Sequence, residues 1–167
     1  FAFGWWGGIC GLEKRGWSDD PDDPGGATMI DVTLTTYSHF KGRRMTKGEL
    51  RNISYEDWMT ILKSLYWDRC NADRIESQGL ANLIVDWVWA SGASVLRRVQ
   101  VLADVGCDGI IGPKTLAALN GGDRNRLFDR IMEERERYYR GCRGAWKYLG
   151  GWLRRLHAIR KDGDFRF

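Results

Sequence analysis

Apolar residues recur at helical spacing over most of the chain from Tyr55 onward, and this pattern constrains the fold more than any other feature. The first such segment, residues 55–70, carries on one face Trp58, Ile61, Leu62, Leu65 and Tyr66. Residues three and four apart share one face of an α-helix. The same spacing returns over residues 95–102, 124–139 and 146–159. No segment alternates as a half-buried strand does, so we predict an all-α fold with at most a two-stranded hairpin.

Polar residues at the ends of these segments indicate where several helices begin. Thr46 and Glu49 match a capping box, and Ser54 with Asp57 match its looser acidic form. A further helix is predicted to start at Pro113, after the turn signal of residues 108–109, and to run to residue 119.

A nearly continuous apolar run over residues 80–91 is long enough for a buried helix, and it contains Asp86. A carboxylate in such a helix is costly unless it is hydrogen-bonded. Asp86 is therefore either a structural carboxylate that pairs with an arginine or part of a functional site, because perturbed buried acids mark both.

Length and charge limit the classes of function. A chain of 167 residues can bury one sizeable core, or a core with a small second lobe. The net charge is +4, but lysine and arginine are interleaved with 22 acidic residues, which argues against a nucleic-acid binder. Nine tryptophans provide aromatic faces that can stack on sugars, although most are expected to fill the core.

Cysteine and histidine spacing gives no sign of a metal site or cofactor. The four cysteines are far apart, at Cys10, Cys70, Cys107 and Cys142. Two disulfides and buried free thiols both remain open. No run approaches the ~20 apolar residues of a membrane span, so we expect no stable membrane insertion. Residues 1–12 are apolar but broken by glycines, which does not support a signal peptide.

Residues 16–28 differ most from ordinary helix or strand composition. They contain two prolines, two adjacent glycines and four aspartates within five positions. Proline and glycine exclude a regular element here, so we predict a loop of fixed path whose aspartates cap backbone N–H groups in Asx turns. The threonine-rich run that begins at Thr33 is typical of a helix start.

Residues 17–33 contain a motif of several parts: an aromatic residue, two polar residues, Asp-Pro-x-Asp-Pro-Gly-Gly-Ala-Thr and, soon after, Val-Thr. This motif resembles the N-terminal signature of glycoside hydrolase family 108. That family comprises bacterial and phage N-acetylmuramidases. The resemblance implies a lysozyme-like multi-helix domain that cleaves the glycan strand of peptidoglycan, the bacterial cell-wall polymer. It covers nearly the whole chain.

In that family a Glu-Gly-Gly-aromatic motif just before the loop supplies the catalytic acid. The corresponding residues are Lys14-Arg15-Gly16-Trp17, or, with a different anchoring, residues 5–8. We name Glu13, the neighbour of Lys14, as the candidate acid. Nearby aromatic rings can raise the pKa of a glutamate, whereas Lys14 favours its ionised form.

Candidate substrate contacts come from the loop and from later segments. Asp20 is the best-placed loop aspartate to position a water molecule, and Thr28 and Thr33 can hydrogen-bond an N-acetyl sugar or that water. The resemblance further implies that Tyr66-Trp67 border the sugar groove and that Asp86 lies close behind it.

The segment Asp108-Gly109-Ile110-Ile111-Gly112-Pro113-Lys114-Thr115 resembles the Asp-Gly turn of small helical peptidoglycan-binding modules. A rigid corner between two helices would explain it equally well, since glycine and proline punctuate structure. We expect residues 1–92 to form a catalytic half and residues 93–167 a helical peptidoglycan-binding half, packed as one unit.

Two functions follow from the resemblance. The first is a peptidoglycan hydrolase of the N-acetylmuramidase type, acting as a monomer at the cell envelope, outside the cell, or as a phage endolysin on the host wall. The alternative is a lapsed family member that binds the wall or serves as a virion structural protein.

Overall fold

The computed structural model describes residues 16–23, 25–159 and 161. They divide into two compact units, the first ending at Leu65 and the second beginning at Tyr66. Most described residues are helical, as the apolar spacing predicted. Glu13, the candidate acid, lies outside the described residues.

A small antiparallel sheet opens the described part of the first unit. Its strands are β1 (Trp17–Ser18), β2 (Thr28–Met29) and β3 (Val32–Thr33), in the order β1-β2-β3. The prediction of no sheet beyond a two-stranded hairpin, and of an irregular path throughout 16–28, is therefore wrong. Strands of two residues are too short to show the alternation by which strands are found in sequence.

The β2–β3 hairpin turns at Ile30 and Asp31, whose φ angles are 48° and 63°. Positive φ at both central residues defines a type I′ turn, which matches the twist of the flanking strands. Isoleucine is rarely found there, and two hydrogen bonds hold it. Its N–H donates to the Gly16 carbonyl at 2.8 Å, and its carbonyl accepts from Trp58 Nε1 at 3.1 Å.

Three α-helices follow in the described part of the first unit: α1 (Leu34–Lys41), α2 (Lys47–Arg51) and α3 (Tyr55–Ile61). The capping box of Thr46 and Glu49 is confirmed, and the Ser54 hydroxyl accepts from the Asp57 N–H at the start of α3. The helix predicted over 55–70 changes geometry after Ile61 and continues as a π-helix, Leu62–Trp67.

The described residues of the second unit form five α-helices: α4 (Gln78–Ser91), α5 (Leu96–Leu102), α6 (Pro113–Asn120), α7 (Arg124–Arg140) and α8 (Ala145–Ala158). Short 3₁₀ turns, Ala72–Arg74 and Ala93–Val95, precede α4 and α5. Helix α4 is buried along nearly all of its length, as its apolar run predicted. Helices α5, α7 and α8 end within two residues of their predicted limits.

Three cysteines of the described chain, Cys70, Cys107 and Cys142, are free thiols. Of the two alternatives left by the sequence, free thiols are therefore observed for these residues. No helix in the described ranges is both long and apolar enough to cross a membrane.

Candidate functional site

The aspartate-rich loop between β1 and β2 is held by its own side chains. Asp20 Oδ1 accepts from the Asp22 N–H at 3.0 Å, and Asp23 Oδ1 accepts from the Gly25 N–H at 2.8 Å. The Asp20 carbonyl also accepts from the Asp23 N–H at 3.0 Å. These bonds confirm the predicted Asx turns and fix the path of the loop locally.

Contacts with the rest of the first unit anchor the start of this loop. Both carboxylate oxygens of Asp19 accept from Lys47 Nζ, at 2.9 and 2.7 Å, which ties the loop to α2. At Gly16 an added Cβ would lie 2.6 Å from the Ile30 side chain, so only glycine fits without a shift. The loop therefore starts from a backbone position set by the hairpin turn.

The two threonines predicted to contact substrate lie opposite each other, since Thr28 on β2 is the register partner of Thr33 on β3. The Thr33 hydroxyl caps α1: it accepts from the Thr36 N–H and donates to Thr36 Oγ1, both at 3.0 Å. Thr28 is half-buried, and no described side chain bonds its hydroxyl. The Thr33 hydroxyl is thus already used to cap the helix, whereas the Thr28 hydroxyl has no such use.

In the second unit, Tyr66 and Trp67 have different surroundings. Tyr66 is half-buried, and its ring centroid lies 4.6 Å from that of Trp89, at a tilt of 57°. Trp67 is buried, and its Nε1–H donates to Asp73 Oδ1 at 2.7 Å. A sugar contact remains a prediction for both residues, and of the two only Tyr66 is partly exposed.

Asp86 lies within a buried ion-pair network that joins α4, α7 and α8. Its Oδ2 accepts from Arg135 at 2.5 Å, and its Oδ1 accepts twice from Arg155, at 2.9 and 2.7 Å. Asp86 is 1% exposed and the Arg135 side chain 0% exposed. A direct contact of Asp86 with a sugar would require these ion pairs to break, so its predicted substrate role stays a prediction.

Further bonds complete this network around Arg135. Its Nε donates to the Tyr139 hydroxyl at 2.9 Å, and its Nη1 donates to the Leu83 carbonyl at 3.3 Å. Burial raises the pKa of Tyr139, which keeps the phenol protonated. Every nitrogen of the Arg135 guanidinium is thus hydrogen-bonded, as a buried charge requires.

Sequence reasoning missed Arg135, which stands among other charged residues on α7. Its spacing contained the signal, because it continues the buried row Leu127, Ile131, Arg135 and Tyr139, four residues apart on α7. A charged residue at a position of the apolar stripe, with an aspartate in a distant apolar run, indicates a buried pair.

The Asp-Gly turn of the second unit is organised by Gln100, which is 0% exposed. Its Nε2 donates to Asp108 Oδ1 at 2.7 Å and to the Ile110 carbonyl at 3.0 Å, while its Oε1 accepts from the Gly109 N–H at 2.7 Å. The bond from Gln100 lowers the pKa of Asp108. Gly109 has φ 81°, and Pro113 begins α6 as predicted. These contacts account for the turn as a rigid corner.

A surface cavity of about 730 Å³ borders this corner and is lined by Cys107, Ile110, Pro113 and Lys114, among others. Within the described residues, no group of three or more His, Cys, Asp or Glu side chains is placed to hold a metal ion.

Comparisons with known proteins match both halves of the chain. Residues 9–92 match the model of glycosyl hydrolase 108, and residues 92–157 match a model described as a predicted peptidoglycan domain. The structure of Brucella abortus SagA is similar, with a TM-score of 0.80 and 30% sequence identity over 86% of this chain and 83% of that chain. A search of curated proteins returns no match.

These matches fit the helical architecture, which is lysozyme-like with a small sheet. In coarse terms they identify a glycoside hydrolase with peptidoglycan as its partner, acting at or outside the cell wall. The family model covers half of the chain, and the similar structure spans most of it. The chain belongs to glycosyl hydrolase family 108.

Proposed function

We propose that this protein is an N-acetylmuramidase that cleaves the glycan strand of bacterial peptidoglycan. The observation that carries the proposal is the stiff loop over residues 19–26, which lies within the residues matched by the glycosyl hydrolase model. We place the catalytic half at residues 1–92 and the binding half at 93–167, in a monomer that acts outside the cell or, if phage-encoded, on the host wall.

In this mechanism Glu13 is the general acid that protonates the leaving sugar oxygen. Asp20 positions the attacking water, and the Thr28 hydroxyl binds the N-acetyl sugar or that water. The Thr33 hydroxyl caps α1, so the role of Thr33 is to support Thr28 from the opposite strand. Tyr66 is the candidate aromatic contact for a sugar ring, with Trp67 and Asp86 supporting the second unit from its interior.

The test is hydrolysis of purified peptidoglycan, followed as turbidity clearing and as new reducing ends, with the products analysed to identify the bond that is cut. Glu13→Gln should lower the rate about 10²–10⁴-fold, the usual loss when general-acid catalysis is removed. Undiminished clearing by this variant would show that another residue is the acid.

A second pair of variants tests the loop. Asp20→Asn removes the charge but keeps an oxygen that can accept from the Asp22 N–H, so the turn survives. Asp23→Asn is the matched control, because Asp23 makes the same kind of turn with Gly25. We expect the first to lose activity and the second to keep it; equal activity of the two would refute the role of Asp20.

The alternative function is binding to the cell wall without cleavage. It is favoured by Lys14, which stands where the family has its glutamate, since an ammonium cannot deliver a proton as a tuned carboxylic acid does. Under this alternative the wild type binds purified cell walls without releasing reducing ends. Activity gained only in Lys14→Glu would then identify a lapsed enzyme.

A further inference from the structure

The outward side of α8 carries the most exposed large apolar side chain among those described. Trp146 is 79% exposed, compared with 64% for Ile110 and 59% for Val101. Gly150 and Arg154 follow at intervals of four residues, so the three share one side of the helix, which we call the α8 face. Both are exposed as well.

The opposite side of α8 packs against the second unit. Trp152 is half-buried, with its ring centroid 5.4 Å from that of Tyr139 and 5.8 Å from that of Tyr148. Leu156 is fully buried, and Arg155 reaches the buried Asp86. The helix is therefore held from within, and Trp146 is not needed to anchor it.

The glycines of α8 are not required by packing. Glycine is a poor helix former, yet two adjacent glycines stand in the middle of this helix. An added Cβ at Gly150 would meet, among described atoms, only Arg154 Nη1 at 3.6 Å, and one at Gly151 only Arg154 Nη2 at 3.9 Å. Their effect is to leave a low strip between the Trp146 indole and the Arg154 guanidinium, over which another molecule can approach closely.

The charged side chains of α8 itself are basic. The helix contains Lys147, Arg154 and Arg155 but no aspartate or glutamate. Within the described part of the chain, no carboxylate lies at ion-pair distance from Arg154, whereas Arg155 is ion-paired with Asp86. An exposed indole beside a cation, across a strip without side chains, suits a ligand that has flat apolar faces and carboxylates.

We propose that the α8 face binds a glycan strand of peptidoglycan, with the Trp146 indole stacked on a sugar ring and Arg154 paired with a carboxylate of the attached peptides. The inference rests on the proposed action on peptidoglycan and adds where the second unit holds it. All three residues of the α8 face lie within the segment matched by the peptidoglycan domain model.

The experiment uses the full chain and purified, insoluble cell walls in a co-sedimentation titration at two salt concentrations. Trp146→Ala should weaken binding about 3- to 10-fold, from the usual energy of an aromatic stacking contact. Arg154→Ala should weaken it about 2- to 5-fold and reduce its dependence on salt. The matched controls Tyr55→Ala, at an exposed aromatic of the first unit, and Arg126→Ala, at an exposed arginine of α7, should bind as the wild type does.

Gly150→Leu separates a binding role from a structural one. Leucine is a far better helix former than glycine, so this variant should fold at least as well while its side chain fills the strip. Weaker binding together with an unchanged or higher melting temperature is the expected result.

Three outcomes would overturn the inference. Wild-type binding by both Trp146→Ala and Gly150→Leu would exclude the α8 face as the binding surface. A dimer that Trp146→Ala converts to monomer, with cell-wall binding unchanged, would make the face a contact between two copies. Absence of cell-wall binding by the wild type would also refute the inference. Failure of the proposed hydrolysis is a separate result, because it appears as no release of reducing ends.

Discussion

Replacing Asp86 by asparagine tests whether this buried carboxylate is a structural counter-ion. Asparagine has nearly the same volume, so the change removes charge without creating a cavity. Arg135 would remain 0% exposed and would lose its only carboxylate partner among the described residues. Arg155, with its side chain 25% exposed, can regain water, so most of the cost should come from Arg135.

The expected loss of stability is about 3–5 kcal/mol, the usual result of leaving one partner of a buried ion pair uncompensated. Domains are typically stable by about 5–15 kcal/mol, so this loss is large. For a chain of this size, 1 kcal/mol corresponds to about 2–4 °C in melting temperature, which gives a decrease of about 6–20 °C. Urea unfolding followed by circular dichroism measures the free energy directly.

Asp129→Asn is the control, because the Asp129–Lys161 pair is exposed and should contribute at most about 1 kcal/mol. The double change Asp86→Leu with Arg135→Met should recover much of the stability, since it removes both buried charges together. A loss below about 1 kcal/mol for Asp86→Asn would refute the counter-ion role. Lost hydrolysis with retained stability would instead support the substrate role predicted from the sequence.

Three further predictions concern other parts of the chain. The hydrogen bond from Arg43 lowers the pKa of Glu49 from 4.5 to about 2, so its stabilising effect is complete above pH 4.5 and lost towards pH 2; Glu49→Gln should therefore unfold more easily than wild type at pH 6 and no more easily at pH 2. A thiol-alkylating reagent should label exposed Cys107 in the native protein and Cys70 only after unfolding, because burial raises the pKa of Cys70 to about 12. Gly109→Ala should cost about 1–3 kcal/mol in thermal unfolding, because φ is 81° there; an unchanged melting temperature with weaker cell-wall binding would instead make the turn a ligand site.

The helices could be predicted from the sequence because each leaves a local signal. Residues 80–91 form a nearly continuous apolar run and residues 124–139 show apolar spacing, each within a single window, and the structure has helices at Gln78–Ser91 and Arg124–Arg140. The change to a π-helix at Leu62–Trp67 leaves no such signal, since the hydrogen-bond register shifts while the apolar residues remain closely spaced. Similarly, the two-residue strands are too short to show the alternation of apolar and polar residues that identifies a strand.

In the candidate site, too, the sequence predicted local contacts and did not predict contacts between distant residues. The turns made by Asp20 and Asp23 join residues two apart, and the sequence predicted them. The partners of Asp86 stand 49 and 69 positions further along the chain. The sequence could therefore indicate either a structural carboxylate or a functional one at Asp86, but it could not identify the arginines that pair with it. The use of the Thr33 hydroxyl as a helix cap was equally open to prediction, since the helix start at Thr33 was recognised.

The structure also bears on how the two proposed functions can be separated. The loop over residues 19–26 is held by Asx turns within it and by Lys47, and Gly16 is fixed against Ile30. A substitution at residue 13 or 14 that leaves these contacts in place should leave the stability of the protein unchanged. A gain or loss of hydrolysis in Lys14→Glu or Glu13→Gln would then report on the acid and not on a displaced loop, and unchanged urea unfolding of both variants is the measurement that secures this interpretation.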